Sequence, residues 1–152
     1  MKNTISFLFS FLFLESQFLY AADLPSGENV VAGNISISSS DNAMTNTQSS
    51  QQSIIEWNSF DIGMENSVTF NQPSINASAL NRVISGNPTT LAGSLNANGK
   101  VFVVNENGVY FTPTSTISAH SFGASTLALS NDDFLNNKFL FKADDKDNIF
   151  SS

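Results

Sequence analysis

The segment LNANGKVFVVNENGVYF, residues 95–111, contains two Asn-Gly pairs, Asn98-Gly99 and Asn107-Gly108, separated by a run rich in β-branched residues. Glycine adopts positive φ without a steric penalty and asparagine tolerates it, so each pair favours an abrupt corner. The segment therefore predicts a corner, a strand, a second corner and another strand. Asn-Gly pairs also form two-residue hairpins, which leaves an antiparallel sandwich as the local alternative.

Short strands recur along the rest of the chain, and no long stretch places apolar residues at helical spacing. β-Branched and aromatic residues are concentrated in six runs: Val30-Val31, Ile35–Ile37, Ser53–Trp57, Ser67–Phe70, Val101–Val104 and Val109–Phe111. Short strands, frequent corners and few charges favour a parallel β-helix, in which each coil buries its inner face by stacking on the next. We therefore predict an all-β fold and, within that class, a parallel β-helix.

The composition indicates one globular domain with few charged groups. The chain has 152 residues, of which 41% are hydrophobic and 12% are charged, and this charged share is about half the usual one. Asn, Ser and Thr must therefore supply most of the polar surface, and these side chains suit tight turns and stacked strands. The formal charge is −7. Because the few Lys and Arg residues cannot neutralise a phosphate backbone, we predict no nucleic-acid partner.

The amino terminus carries the features of a secretory signal peptide. A positively charged start precedes an apolar run from Ile5 to Leu14, and small residues follow at Ala21 and Ala22. A membrane-spanning helix needs about 20 apolar residues, roughly twice the length of this run. We predict that residues 1–21 are removed by cleavage. The chain has no cysteine, which fits passage of an unfolded chain through a second membrane but fits an ordinary periplasmic protein equally well.

Five blocks of sequence resemble the secretion (haemagglutination-activity) domain of filamentous haemagglutinin-like two-partner-secretion exoproteins. The blocks are SIIEWNSFDIG (53–63), VTFNQP (68–73), LNRVISGNP (80–88), LAGSLNANGKVFVVNENGVYF (91–111) and GASTLALSN (123–131). They follow the family's order and spacing, which is more specific than any single motif. One departure is that the family's Asn-Pro-Asn-Gly tetrad stands here as Asn105-Glu106-Asn107-Gly108, so the turn lacks the φ restraint of proline.

This resemblance implies a right-handed parallel β-helix with extra capping strands near the amino terminus. It implies a secretion domain over residues 22–134, with residues 135–152 as the start of further β-helix or a truncated tail. It also implies export to the surface of a Gram-negative bacterium, in the service of adhesion or virulence. The implied partner is an outer-membrane β-barrel transporter with periplasmic POTRA-type domains. The residues that we expect this partner to recognise are Asn81, Arg82, Asn105, Asn107 and Gly108.

No residue pattern predicts catalysis, a cofactor or a metal site. The single histidine, His120, lies in a run of small residues, and the sequence places no carboxylate or oxyanion site beside it. One histidine without cysteine cannot form an ordinary zinc ligand set. The acidic run Asp144–Asn148 lacks the glycine and distal glutamate of a calcium loop, so we interpret it and Asp132-Asp133 as solvated. We therefore predict neither an enzyme nor a small-molecule substrate.

Two other functions stay open at this point. Six aromatic side chains could stack on sugars, which would suit a self-sufficient carbohydrate-binding adhesin that meets host-cell surface glycans or proteins. We expect these side chains to fill the coil interior or to cap its open end: Trp57, Phe60, Phe70, Phe102, Tyr110 and Phe111. A β-helical polysaccharide-degrading enzyme is the other alternative, but only five basic residues follow the leader to neutralise an acidic sugar.

Overall fold

The computed structural model describes residues 23–143, so the predicted signal peptide and the acidic run Asp144–Asn148 lie outside the described residues. Three sheets form the walls of the fold. Sheet 1 contains β2 (Ile35–Ser40), β3 (Ala43–Gln48), β5 (Ser67–Asn71), β8 (Ser94–Ala97) and β11 (Thr116–Ser118). Sheet 2 contains β1 (Asn29–Ala32), β4 (Gln52–Trp57), β6 (Ser78–Val83), β9 (Lys100–Val104) and β12 (Ser121–Ser125). Sheet 3 pairs β7 (Thr89–Leu91) with β10 (Val109–Phe111).

The chain turns from sheet 1 to sheet 2 and on to sheet 3, and then begins the next coil. Strands β3, β5, β8 and β11 pair in parallel within sheet 1. Strands β4, β6, β9 and β12 pair in parallel within sheet 2. The result is a parallel β-helix of about four coils, which confirms the predicted fold class and rules out the sandwich.

Antiparallel strands cover the amino-terminal end of the β-helix. Strand β1 pairs with β4, and β2 pairs with β3, both in antiparallel register. The turn between β2 and β3 passes through Asp41, whose φ is 51°. These pairings confirm the extra capping strands that the resemblance implied.

The two Asn-Gly pairs both make corners, but for different physical reasons. Gly108 has a φ of 121°, so this corner uses the conformational freedom of glycine as predicted. Gly99 has no positive φ, and the prediction of one there was wrong. A Cβ at Gly99 would lie 2.7 Å from the Ala77 carbonyl oxygen and 2.7 Å from Gln72 Oε1. Close approach of the neighbouring coil is therefore what requires glycine at this position.

Inward-pointing side chains fill the coils with a continuous apolar core. Trp57, Phe60 and Phe70 are fully buried, and the Trp57 and Phe60 rings meet edge to face with centroids 5.5 Å apart. Phe111 packs edge-on against Phe122 of the last coil. Tyr110 is 59% exposed. Tyr110 therefore does not fill the coil interior, because strand alternation turns it outward, and Phe111 is itself 49% exposed.

A second apolar cluster lies outside the coils, on the outer face of sheet 2. Ile54, Leu80 and Phe102 stand in register on β4, β6 and β9, and residues 128–142, which we call the strap, cover this row. Phe102 is therefore outside the coil interior, contrary to the prediction, and the predicted boundary at residue 134 falls inside the strap.

The strap contains one short helix, α1 (Asn131–Leu135), whose N-cap residue is Ser130. The Ser130 Oγ accepts a hydrogen bond from the Asp133 amide at 3.1 Å, as is typical of helix starts. Asp132 and Asp133 occupy its first turn. No helix in residues 23–143 is long and apolar enough to cross a bilayer.

Candidate recognition site

The five residues predicted for partner recognition lie on β6 and on the corner that follows β9. Strands β6 and β9 pair in parallel with Arg82 opposite Val104, so the two groups are neighbours on successive coils. Asn81 and Asn105 are fully buried, whereas Asn107 is exposed. Fold geometry therefore brings the predicted residues together but divides them between the inside and the outside of the domain.

Asn81 lies inside the coil, where its side chain is the hydrogen-bond partner of the buried Trp57 indole. Its Oδ1 accepts a hydrogen bond from Trp57 Nε1 at 3.0 Å, and its Nδ2 donates to the Phe102 carbonyl at 3.2 Å. A buried indole N–H without a partner would be costly. Asn81 thus allows Trp57 to sit in the core, and its side chain is out of reach of a partner that meets the folded domain.

Asn105 organises the corner between sheets 2 and 3. Its Nδ2 donates to the Asn87 carbonyl at 2.9 Å and to Thr89 Oγ1 at 3.0 Å. Its Oδ1 accepts from the Asn107 amide at 3.0 Å, and its carbonyl accepts from the Gly108 amide at 3.1 Å. These bonds close a β-turn on one coil and tie it to the previous coil.

Asn107 and Gly108 complete this corner at the surface. Asn107 Nδ2 donates to the Ser85 carbonyl at 3.0 Å, which adds a second tie to the preceding coil. The Gly108 carbonyl accepts from the Thr89 amide at 2.9 Å. The positive φ is what favours glycine at Gly108, because the nearest atom to a Cβ there, Tyr110 Cε2 at 2.9 Å, belongs to an exposed ring that can move aside.

Arg82 lies between sheet 2 and the strap. Its Nη2 donates to the Leu129 carbonyl and to Asn131 Oδ1, both at 2.7 Å, and its Nη1 is 3.6 Å from Glu56 Oε1. Burial lowers the pKa of the Arg82 guanidinium, and the nearby Glu56 carboxylate opposes that shift. The guanidinium stays charged, because an arginine pKa starts far above neutrality. Arg82 is therefore a polar anchor for the strap.

Two surface recesses adjoin Arg82. One, of about 240 Å³, brings Arg82 together with Glu106 and Asn107, and the other, of about 430 Å³, lies beside the strap. His120 is exposed on a different corner, where its amide donates to the Gly99 carbonyl. Among residues 23–143 there is no group of three or more His, Cys, Asp or Glu that could hold a metal ion. Both recesses are lined by apolar as well as polar residues, and Arg82 lines both of them.

The sequence interpretation missed a second polar corner, between sheets 1 and 2. Gln72 Nε2 donates to Gln48 Oε1 at 3.3 Å, and Gln72 Oε1 accepts from the Gly99 amide at 2.9 Å. The Asn98 side chain exchanges two hydrogen bonds of 2.7 Å with the Gln72 backbone. The sequence does contain a signal, because Gln48 and Gln72 stand at the same position of two successive coils. That equivalence can be recognised only when the number of residues in a coil is known.

Comparisons with known proteins agree with the fold. Residues 21–149 match the model of the TPS secretion domain family. Two heme/hemopexin-binding proteins of Haemophilus influenzae, one of them from strain Rd, are 40% identical over 124 residues and 38% identical over 126 residues. Each match covers 82% of this chain but only 14% of the relative. The crystal structure of the HMW1 secretion domain from Haemophilus influenzae matches with a TM-score of 0.71 and 33% identity, over 74% of this chain and 30% of that one.

Proposed function

The chain belongs to the TPS secretion domain family, and on that premise we propose that it directs an exoprotein through a dedicated outer-membrane β-barrel transporter. The periplasmic POTRA-type domains of the transporter capture the chain, which then folds at the surface of a Gram-negative cell. The match over residues 21–149 supports this proposal, as does the likeness to the HMW1 secretion domain. No catalytic step is assigned to the domain.

We infer that capture precedes folding, and the burial of Asn81 and Asn105 carries this inference. Both side chains are 0% exposed in the folded domain. Strand β6 also has neighbours on both sides, β4 and β9, so its backbone has no free edge. Before folding, the same segment has unpaired backbone groups and can add as a strand to a sheet of the transporter.

Transporter-dependent secretion tests the proposal. The full chain is expressed in a Gram-negative host with and without the transporter, and its secreted fraction is measured. We expect secretion only when the transporter is present. The matched control carries residues 1–22 fused to an unrelated all-β domain, which should stay in the periplasm. Equal secretion without the transporter would contradict the proposed function.

We also propose that the signal peptide ends at Ala21 and that the domain continues through the strap. Leu129 and Phe134 of the strap are 1% and 0% exposed, as expected for parts of the domain itself. Amino-terminal sequencing of the exported protein should begin at Ala22. Limited proteolysis should leave residues 128–142 attached to the coils, and early cleavage near residue 134 would argue for the shorter domain.

A carbohydrate-binding adhesin is the second candidate, and the exposure of Tyr110 favours it. Tyr110 is 59% exposed on sheet 3, where its ring is available to stack on a sugar. A glycan array probed with the mature chain tests this candidate. Binding that is lost in Tyr110→Ala would support a second role, and an array without signal for either protein would remove it.

A further inference from the structure

The strap crosses three coils on the outer face of sheet 2. Its buried residues Leu129 and Phe134 pack with Ile54 on β4, Leu80 on β6 and Phe102 on β9. Strands β4 and β9 do not pair, because β6 lies between them. Coils of a β-helix interact chiefly with their neighbours, so the strap couples coils whose strands are not hydrogen-bonded to each other.

Aromatic and polar contacts fix the strap on each strand. The Phe102 ring stacks on Phe139 with centroids 4.8 Å apart and meets Phe134 at 6.2 Å. On β4, Gln52 Nε2 donates to the Phe134 carbonyl at 2.8 Å. On β6, Arg82 provides the two hydrogen bonds described above. Each of the three coils thus holds the strap through at least one specific contact.

The surface that receives the strap exists only after the coils have paired. The contact between Gln52 and Phe134 joins residues 82 positions apart, and closing so long a loop must be compensated by contacts that have already formed. The strap has little structure of its own to start from, since α1 is five residues long and an isolated helix of that length is unstable in water. The strap therefore docks onto a preformed sheet.

We propose that the strap is a clasp that closes last in folding and opens first in unfolding, and so sets how long the exported domain stays folded. This use of the clasp rests on the proposed function, because a domain that does not reopen cannot slide back through the transporter. The order of docking is a physical property of the chain and can be measured without the transporter.

Folding and unfolding rates of the mature chain in urea test the order of docking. Phe134→Ala removes a contact that forms after the folding barrier, so the unfolding rate should rise at least about a hundredfold while the refolding rate changes by less than about twofold. The matched control is Leu95→Ala, at a fully buried position inside the coils, which should slow refolding. Slower refolding of Phe134→Ala with an unchanged unfolding rate would overturn the proposal.

Arg82→Gln provides the same test if Phe134→Ala does not fold. It removes the hydrogen bonds to the Leu129 carbonyl and Asn131 Oδ1, together with the ion pair to Glu56, while leaving the apolar row intact. The unfolding rate should rise about tenfold with refolding unchanged, and an unchanged unfolding rate would overturn the clasp.

A pulse-chase secretion assay with Phe134→Ala connects the clasp to export. The variant should appear outside the cell as early as the unmodified chain but lose its protease resistance much faster. Equal persistence of the two proteins would overturn the role of the clasp in retention while leaving transporter-dependent export intact. Absence of export for the unmodified chain in the presence of its transporter would contradict the proposed function instead, and the rates in urea would be unaffected.

Discussion

The outer faces of sheets 1 and 2 differ in composition and in what covers them. On sheet 1, Thr45, Thr69 and Asn96 stand in register across β3, β5 and β8, and all three are at least partly exposed. On sheet 2, the corresponding row holds Ile54 and Leu80, both fully buried beneath the strap. The inner faces of both sheets are mainly apolar, with Asn46 as a buried polar exception in sheet 1 and Asn81 in sheet 2. Among residues 23–143, the sheet whose outward residues are apolar is therefore the one that is covered. A strand that is apolar on both faces therefore predicts a covering segment.

The largest expected effect compares the two faces directly. Leu80→Ala removes a fully buried side chain beneath the strap and should lower the free energy of unfolding by about 2–5 kcal/mol. Thr69→Ala on the bare face should change it by less than about 0.5 kcal/mol. Urea midpoints of the purified mature chains measure both values. Equal midpoints for the two variants would mean that the strap does not stabilise sheet 2.

The next effect compares the buried Asn105 with the exposed Asn107 of the same corner. Asn105→Ala leaves the Asn87 carbonyl and the Asn107 amide without their partner and should cost about 1–3 kcal/mol. Asn107→Ala should cost about 0.5 kcal/mol, because water can replace its contacts. We expect the secreted yield of Asn105→Ala to fall further than that of a variant with an equal urea midpoint, because the transporter also captures this segment before it folds. Equal yields for the two variants would leave Asn105 with a structural role alone.

Two glycines extend the comparison to the backbone. Gly108→Ala places a side chain at a φ of 121° and should cost about 1–2 kcal/mol. Gly86 is the matched control, because a Cβ there would meet nothing within 4 Å and its φ is not positive. Gly86→Ala should leave the thermal midpoint unchanged or slightly raised. A thermal midpoint for Gly108→Ala equal to that of Gly86→Ala would show that the corner tolerates an ordinary residue.

The smallest expected effect concerns Glu106, which stands where the family's Asn-Pro-Asn-Gly tetrad has proline. Glu106 is the second residue of the turn that runs from Asn105 to Gly108, a position that favours proline. Glu106→Pro should therefore raise the free energy of unfolding by about 0.4–1 kcal/mol, chiefly by restricting the unfolded chain. Denaturant titration checks the sign, and a loss of stability would show that the φ of this residue is unsuitable for proline.

The corners and strands could be predicted because their signals are local. The turn signal Asn107-Gly108 and the β-branched run that predicts the strand before it lie within a few residues of each other. The strap could not be predicted, because its buried Phe134 depends on Ile54 and Leu80, which are distant in sequence. The burial of Asn81 was equally hidden, since asparagine usually indicates a surface position and only the fold brings it to Trp57.

A refolding experiment tests most directly whether capture precedes folding. The mature chain is unfolded in urea, and its refolding rate is measured at increasing concentrations of the transporter's periplasmic domains. We predict that refolding slows at least about tenfold at saturation, because the domains hold β6 and the Asn105–Gly108 segment before they pair within the coils. An unrelated periplasmic protein of similar size should leave the rate unchanged. A refolding rate independent of the periplasmic domains, together with their binding to the folded chain, would contradict the account.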